Sequence, residues 1–336
     1  MGVVVKTLAR LRDTERGGLN GWLEAGLFVL AISALTVVYA IAQGTGAHTL
    51  VFTFYSMAAA AAGMLAITGP GSDALKTISA RQSWFYGAAA IGLEGLYFAL
   101  VGVIKPAEAS LSLRLAVPVS IIFGWLFLSR VLTARLALGG LIIVAAVIPI
   151  FLAMHVSLAI PAIILAVSCA LLITIKTFAS EFHPSNQRAK TAFDKLRITG
   201  LVVLSTALLG AALLVIAVSL TELAILPPSA LIPEPKAFWH LPTLLCAVFG
   251  GAPIFVSMTY LTFSAVLKIG TERFLASTAF APFSAVALEA LAARLGLLNL
   301  PDYDWQLMPL ITLGIIGVII VISHRNPSLP SINRAS

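Results

Sequence analysis

Two ionisable side chains, Glu94 and Arg114, stand in the middle of long apolar stretches of the sequence. A charge inside the hydrocarbon of a bilayer costs about 2.5 to 3.5 kcal/mol on insertion scales, so such residues usually face a cavity or a partner. From the turn at Lys105, Glu94 lies 11 residues back and Arg114 lies nine residues forward. At about 1.5 Å per helical residue, they lie about 16 and about 14 Å from that turn. We therefore expect both at one depth on adjacent antiparallel helices.

The chemistry that this pair could support divides into two alternatives. In the first, the pair lines a central cavity, where Arg114 binds a carboxylate or phosphate of a cargo and Glu94 binds an amine or carries a coupling proton. In the second, the pair is a structural ion pair that locks the two helices together. Tyr97 lies one helical turn from Glu94 on the same face, so it either joins the cavity or packs between helices.

The composition of the chain predicts that these residues lie on membrane-spanning helices. Hydrophobic residues make up 60% of the 336-residue chain, charged residues make up 10%, and the mean hydropathy is +1.02. Ordinary globular chains carry about 25% charged residues, so lipid is the solvent that this composition fits. Apolar runs of suitable length predict an all-α integral membrane protein with ten transmembrane helices, at residues 22–42, 48–67, 84–103, 107–128, 137–153, 158–175, 198–220, 241–263, 273–293 and 305–322.

The positions of the basic residues test this segmentation independently. If the N-terminus is cytoplasmic, 17 of the 21 Lys and Arg residues lie on the cytoplasmic side, three lie outside and Arg114 lies within a span. Lys and Arg accumulate in cytoplasmic loops, so this split predicts that both termini are cytoplasmic. The predicted segments outside the repeats are a basic cytoplasmic N-terminus at 1–21, a cytoplasmic loop at 176–197, a periplasmic loop at 221–240 and a cytoplasmic tail at 323–336.

The net charge of +7 is interpreted as an orientation signal. No compact basic patch interleaved with aromatic residues occurs in the sequence, so no nucleic-acid partner is expected. The five histidines lack metal-ligand spacing, and neither a metal nor another cofactor is expected. The partners that the sequence predicts are the lipid bilayer, a small-molecule metabolite and, as an open alternative for Glu94, a coupling proton.

An internal repeat is the clearest sign of how the chain is organised. The recurring pairs, at an offset of 163 or 164 residues, are Tyr97 with Tyr260, Lys105 with Lys268, Pro118 with Pro282 and Ser120 with Ser284. This offset is close to half the chain, and it predicts two five-helix repeats at 22–153 and 158–322. Because five is odd, the second copy must enter the membrane in the opposite sense. Such inverted repeats place a site near the bilayer midplane and support alternating access.

The second repeat supplies positions equivalent to those of the charged pair. Counting by the offset assigns Ser257 to Glu94, Tyr260 to Tyr97, and Ser277 or Thr278 to Arg114. The predicted substrate-binding residues are therefore Glu94, Arg114, Tyr97, Ser257, Tyr260 and Thr278. One charged wall and one hydroxylated wall favour a polar or zwitterionic cargo. Ser and Thr also join membrane helices through hydrogen bonds, so packing is the open alternative for the second wall.

The sequence resembles the drug/metabolite transporter superfamily, specifically its ten-helix members built from two EamA-type repeats. The first copy carries the resemblance in LSLRLAVPVSIIFGWLFL at 111–128 and in the Gly-Gly motif that ends 136–140. The second copy carries it in FLASTAFAPFSAVALEALAA at 274–293 and in the glycines of 314–317. The resemblance implies the fold, an inner-membrane location, cytoplasmic termini and the transport of small metabolites, often outward. It implies no particular substrate.

Two features depart from the family pattern. Ser129-Arg130 stands after the fourth span, where the family usually has an acidic turn of the Gly-Glu type, and the periplasmic loop at 221–240 is long. Glu24 and Glu289 lie near the ends of spans, where we expect them to reach the interface as snorkelling side chains. The small residues at 314–317 are expected to pack closely and could serve a homodimer contact.

The function predicted from these observations is secondary transport of a small polar metabolite, amino-acid-like or zwitterionic, by alternating access and in the outward direction. The first alternative is an exporter of lipophilic drugs or lipid-linked intermediates on the same fold. The second is an intramembrane transferase. All five aspartates lie outside the predicted spans, and no nucleophile with a base is visible, so we do not expect an enzyme.

Overall fold

The computed structural model describes residues 19–101, 103–104, 106–298 and 307–323. Within these ranges the regular secondary structure is helical, and we label the principal helices α1 to α10 in chain order. The continuous ones are α1 Gly21–Gly44, α2 Thr49–Thr68, α3 Arg81–Val101, α5 Ala134–Leu152, α6 Val156–Glu181, α7 Ala192–Glu222 and α10 Leu307–Ile322. The interrupted ones are α4 with Pro106–Ser112 and Ala116–Leu128, α8 with Leu241–Leu245 and Ala252–Ile269, and α9 with Thr271–Ser277 and Ala281–Arg294. Short helical segments in the connecting loops are Ala74–Ser79, Pro184–Arg188 and Pro235–Trp239.

Eight of the helices in the described ranges are long and apolar enough to cross a membrane. They are α1, α2 and α4 to α9, with mean hydropathies between 1.5 and 2.7. The other two, α3 with 21 residues and α10 with 16, stand where the third and tenth spans are predicted. The prediction of an all-α, multi-pass membrane protein is therefore confirmed, while the full count of ten spans remains a prediction.

Local sequence signals explain where several of these helices begin and end. Thr191 opens α7 with a capping box, because its hydroxyl accepts from the Asp194 N–H at 3.1 Å and the Asp194 carboxylate accepts from the Thr191 N–H at 3.3 Å. Gly69 ends α2 at a φ of 66°, and Gly270 separates α8 from α9 at a φ of 80°. Glycine adopts these left-handed angles without a Cβ clash, so the chain can leave the helix sharply.

The sixth helix continues past the predicted end of its span at residue 175 and reaches Glu181. No glycine or proline interrupts the residues between these two points, so nothing in the local sequence stops the helix. Lys176 was predicted to begin the cytoplasmic loop. It lies instead within α6, where its side chain is part-buried. This difference in boundary matters for the charge of the interior.

The two helices α4 and α9 are interrupted at corresponding places. A single 3-10 turn breaks each helix, Leu113–Leu115 in α4 and Thr278–Phe280 in α9. Pro118 and Pro282 then lie in the first turn of the helical segment that follows. Proline lacks the N–H that a helix interior requires, so each break lets the helix restart where that N–H is not needed.

The helices pack in four long pairs, α3 along α6, α8 along α1, α2 along α7 and α5 along α10. Small residues allow the closest approaches. A Cβ added to Gly139 of α5 would lie 2.7 Å from the carbonyl oxygen of Gly317 in α10, and one added to Gly210 of α7 would lie 2.2 Å from the Phe54 ring in α2. Membrane helices associate through such small-residue faces. Gly317, considered above for a homodimer contact, is thus already packed against α5 of its own chain.

Candidate functional site

Arg114 lies inside the bundle at the interruption of α4, and its side chain is buried. Its Nη1 donates hydrogen bonds to the backbone carbonyl of Thr278 and, at 2.8 Å, to the Thr278 hydroxyl. In a regular helix the Thr278 carbonyl would accept from the N–H of residue 282, but that residue is Pro282 and has none. The Thr278 carbonyl accepts a 3-10 bond from the Ala281 N–H instead, and it also accepts from the guanidinium of α4.

The charge of Arg114 has no acidic partner among the described residues. Salt bridges within 4.0 Å join other pairs in the described ranges, and none of them includes Arg114 or Glu94. The Nε atom of Arg114 is buried and has no hydrogen-bond partner. A guanidinium stays protonated in proteins, so an uncompensated positive charge stands between α4 and α9. The structure thus contains no Glu94–Arg114 ion pair of the kind that would lock α3 to α4.

Glu94 is part-buried on α3 and has partners from two other helices. Tyr39 of α1 donates a long hydrogen bond of 3.5 Å to its Oε2. The same Tyr39 hydroxyl lies 2.6 Å from the hydroxyl of Thr53, which donates to the Thr49 carbonyl at 2.8 Å. Lys176 of α6 acts electrostatically on Glu94. The carboxylate therefore has a phenol on one side and an ammonium in its field.

Tyr97 lies in the field of both charged residues of the first repeat. It interacts electrostatically with Arg114 and with Glu94, so its phenol lies near both. The sequence placed it on the face of Glu94, and the structure brings it into the same neighbourhood. Thr278, from the second repeat, joins this group through its direct bonds to Arg114.

Other residues proposed for the second wall lie elsewhere. The exposed Ser257 bonds with its hydroxyl to the Pro253 carbonyl of its own helix at 3.0 Å. Tyr260 interacts with Glu24 and with the Ser264 hydroxyl, away from the contacts of Arg114. Ser277, the alternative to Thr278, donates to the Phe274 carbonyl at 2.6 Å. Of these residues proposed for the second wall, Thr278 alone contacts Arg114.

Sequence reasoning missed Lys176 and Tyr39. Lys176 was missed because a lysine at the end of an apolar run resembles the start of a cytoplasmic loop. Its ammonium lies 6.0 Å from the centre of the Tyr86 ring, which places it against α3. Tyr39 was missed because a tyrosine in an apolar helix has no distinguishing neighbours, and only the packing of α1 near α3 shows its role. The signals that could have found Lys176 were the continuation of α6 past residue 175 and the position of Tyr86 on α3.

The expectation that Glu24 is a snorkelling residue is wrong. Its side chain is 3% exposed, and its Oε1 accepts from Lys268 at 2.6 Å and from the Ser264 hydroxyl at 2.8 Å. Lys268 also donates to the Leu19 carbonyl at 2.8 Å. Glu24 therefore joins the start of α1 to the end of α8 as a buried ion pair, and a charge so enclosed needs such a partner.

A second charged network joins the end of α4 to the end of α6 and the start of α9. Arg130 pairs with Glu181 at 2.6 Å and with Glu272, and Glu181 also accepts from the N–H and hydroxyl of Thr271 at 3.2 and 2.6 Å. Burial would lower the pKa of the Arg130 guanidinium, but the carboxylates of Glu181 and Glu272 outweigh it and raise that pKa above its usual value. Arg130 therefore connects the two halves of the chain through Glu181 and Glu272.

The described ranges contain no group of three His, Cys, Asp or Glu side chains placed to hold a metal ion. His183, the most buried histidine there, contacts the Ser83 hydroxyl with its Nε2 at 2.9 Å, and Ser83 donates to the Thr77 carbonyl at 2.5 Å. This contact ties the segment after α6 to the first turn of α3, and the Ser83 bond to Thr77 extends it to the segment before α3.

Comparison with known proteins adds information on the fold. No protein-family model matches the sequence, and no curated protein matches it. A solved crystal structure, described only as that of a protein, is similar with a TM-score of 0.56 and 17% sequence identity, over 91% of this chain and 100% of the other. At this level of identity the likeness establishes a shared fold and carries no statement about activity.

Proposed function

We infer that this chain is a secondary carrier that moves a small polar organic metabolite across a cytoplasmic membrane by alternating access. The observation that carries the proposal is the buried guanidinium of Arg114, which is held between two interrupted helices and has no acidic partner in the described ranges. Charged residues within membrane helices usually serve a substrate or an ion. An unpaired guanidinium in such a position favours an anionic group of a cargo as its missing partner.

The helix packing supports the inverted five-helix repeat that this mechanism needs. If the helices α1 to α5 are exchanged with α6 to α10, the α3–α6 pair becomes the α8–α1 pair. The α2–α7 and α5–α10 pairs each become themselves. The 3-10 turns of α4 and α9 also correspond, at an offset of 165 residues between Leu113 and Thr278. Ten spans in two copies of opposite orientation account for all of these relations.

The polar interior favours this carrier over its alternatives. A lipophilic cargo would leave Arg114 without compensation, whereas a carboxylate would pair with it. An intramembrane transferase that acts on a metal-held diphosphate would need a group of side chains that holds the metal ion, and the described residues contain no such group. The proposal includes outward transport because the sequence resembles the drug/metabolite transporter superfamily. It includes cytoplasmic termini because of the distribution of Lys and Arg.

The test uses purified protein reconstituted in liposomes loaded with a panel of isotope-labelled carboxylic acids, amino acids and amines. We expect counterflow of at least one compound above that of protein-free liposomes. Arg114→Gln should reduce this counterflow at least about 10-fold, because a hydrogen bond to a charged group is worth about 1.5 to 3 kcal/mol. The folded yield of this variant should stay near that of the wild type.

Arg135→Gln is the matched control, since Arg135 is exposed at the start of α5. It should transport at the wild-type rate. Chemical turnover of a compound without its translocation would identify an enzyme and overturn the proposal. A loss of folded yield in Arg114→Gln with unchanged transport per folded molecule would assign Arg114 a structural role and remove the observation on which the proposal stands.

A further inference from the structure

The charges inside the bundle are not those that the sequence alone predicts. Counted from the sequence, one acid and one base, Glu94 and Arg114, would form a neutral set suited to a zwitterion. The structure adds Lys176, because α6 extends past the predicted end of its span. With Lys176 in the field of Glu94, and Arg114 without an acidic partner in the described ranges, the three groups sum to one positive charge.

The position that an amine of the cargo would occupy is already in the field of a protein ammonium. Lys176 acts on Glu94 from α6 and lies 6.0 Å from the centre of the Tyr86 ring. The other titratable groups that act on or contact Glu94 are the phenols of Tyr39, Tyr86 and Tyr97 and the thiol of Cys169. None of these is acidic enough to balance a second ammonium at neutral pH. A cationic cargo group beside Glu94 would therefore be repelled by Lys176.

The guanidinium of Arg114 keeps an unused hydrogen-bonding edge among the described residues. Nη1 of Arg114 is taken by Thr278, whereas Nε is buried and has no partner. Nε and Nη2 form the other edge of the planar guanidinium, and two parallel N–H groups on one edge match the two oxygens of a carboxylate. Thr278 thus holds Arg114 from one side and leaves the carboxylate-binding edge for a ligand.

We propose that the cargo is a small organic carboxylate without an ammonium group, bound by Arg114, and that Lys176 excludes the corresponding amino acid and amine. This inference rests on the transport function proposed above and narrows its cargo. A single carboxylate balances the net charge of the three groups. A phosphate monoester carries between one and two negative charges near neutral pH and would overcompensate it.

The test compares cargos that share a side chain and differ in charge. Three labelled series are used: pyruvate, alanine and ethylamine; 4-methyl-2-oxopentanoate, leucine and isopentylamine; and phenylpyruvate, phenylalanine and phenethylamine. In proteoliposomes of the wild type, we expect at least one 2-oxo acid to be transported at least 10 times faster than its amino acid and its amine. The same acid should raise the melting temperature of the detergent-solubilised protein more than the amino acid does.

The variant Lys176→Gln provides the decisive comparison. It leaves Glu94 without a cation, so the transport ratio of 2-oxo acid to amino acid should fall at least 10-fold in favour of the amino acid. Lys176→Arg retains the positive charge and should retain the preference for the acid. Lys190→Gln, at an exposed loop position, should leave the ratio at its wild-type value. If Lys176→Gln yields too little folded protein, the proposal is still tested by the transport ratio of 2-oxo acid to amino acid in the wild type and in Lys176→Arg.

Each outcome points to one proposal. Faster transport of the amino acid or the amine than of the 2-oxo acid by the wild type would overturn the carboxylate inference and leave the carrier standing. An unchanged ratio in Lys176→Gln would also overturn it. Transport of no compound of the wider panel, by protein shown to be folded in the liposomes, would overturn the carrier proposal itself.

Discussion

The charged network around Arg130 allows a quantitative prediction about stability. Arg130 is 20% exposed, and its partners Glu181 and Glu272 are 10% and 13% exposed, so solvent screens these charges only weakly. Opposite charges about 4 Å apart interact by about 4 kcal/mol at an effective dielectric constant of 20. Desolvation of the three groups offsets much of this attraction. The net contribution must therefore be measured by removing one partner at a time.

Arg130→Gln should lower the free energy of unfolding by about 3 to 5 kcal/mol, because it leaves two enclosed carboxylates without a cation. Glu272→Gln should cost about 1.5 to 3 kcal/mol, since Arg130 keeps its contact with Glu181. The geometry thus predicts that Arg130→Gln loses more unfolding free energy than Glu272→Gln. Tryptophan fluorescence during unfolding by sodium dodecyl sulphate in mixed micelles would give both values.

Arg135→Gln, at an exposed position, should change the free energy of unfolding by less than about 0.5 kcal/mol. The double variant Arg130→Gln with Glu272→Gln should be more stable than the sum of the single losses, because the second change removes one of the stranded carboxylates. The reasoning would be refuted if Arg130→Gln were as stable as Arg135→Gln, or if Glu272→Gln cost more than Arg130→Gln. The first result would mean that the ion pairs contribute nothing beyond their desolvation, and the second that Glu272 stabilises the fold through contacts other than that with Arg130.

Three further predictions concern packing, substrate affinity and pH. Gly139→Ala should lose about 1 to 3 kcal/mol of unfolding free energy, because its Cβ would lie 2.6 Å from Val321 and 2.7 Å from the Gly317 carbonyl. Gly63→Ala is the control, since its Cβ would have no atom within 4 Å. In the same detergent titration this control should be neutral or stabilising. Thr278→Val should weaken the apparent affinity for the transported cargo about 10-fold, because it removes one acceptor of Arg114. The concentration dependence of counterflow measures this affinity. The control Thr312→Val, at an exposed position on α10, should leave that concentration dependence unchanged. Burial lowers the pKa of His48, although its bond to the Ala230 carbonyl opposes the shift. The stability that neutral His48 gives to the 223–240 loop is therefore complete above the usual histidine pKa and is lost as the pH falls through the lowered one. With exchange rates corrected for the intrinsic slowing of amide exchange at lower pH, the protection of that loop should fall between pH 7 and pH 5 in the wild type, and an equal fall in His48→Gln would contradict this assignment.

The sequence predicted the helical architecture well because its dominant signal, long apolar runs, has one physical solution in a bilayer. Each run buries its backbone hydrogen bonds within itself, so its position along the chain is enough to locate a helix. The sequence also marks the interruptions of α4 and α9, because a regular helix cannot continue through Pro118 and Pro282. What the sequence could not give was the tilt, the depth and the rotation of each helix.

The candidate site was predicted only where a residue was anomalous in its local context. Glu94 and Arg114 are charges within apolar helices, and both proved to lie in the interior near Tyr97. Glu24 carried the same signal, but its position near a predicted helix end suggested water, whereas the packing of α8 against α1 encloses it. Local sequence contains no information on which neighbour covers a helix end.

Lys176 shows most clearly why a charge must be placed in three dimensions before it is assigned to a loop. A hydropathy window ends a span at the first lysine, because lysine is costly in lipid. In a helix longer than the hydrocarbon thickness, the same lysine can turn toward the protein interior, where a carboxylate compensates it. α6 has 26 residues, so at about 1.5 Å per residue it is about 39 Å long and exceeds a core of about 30 Å. The net charge of the interior, and with it the class of cargo, therefore depends on how far one helix continues past its apolar run.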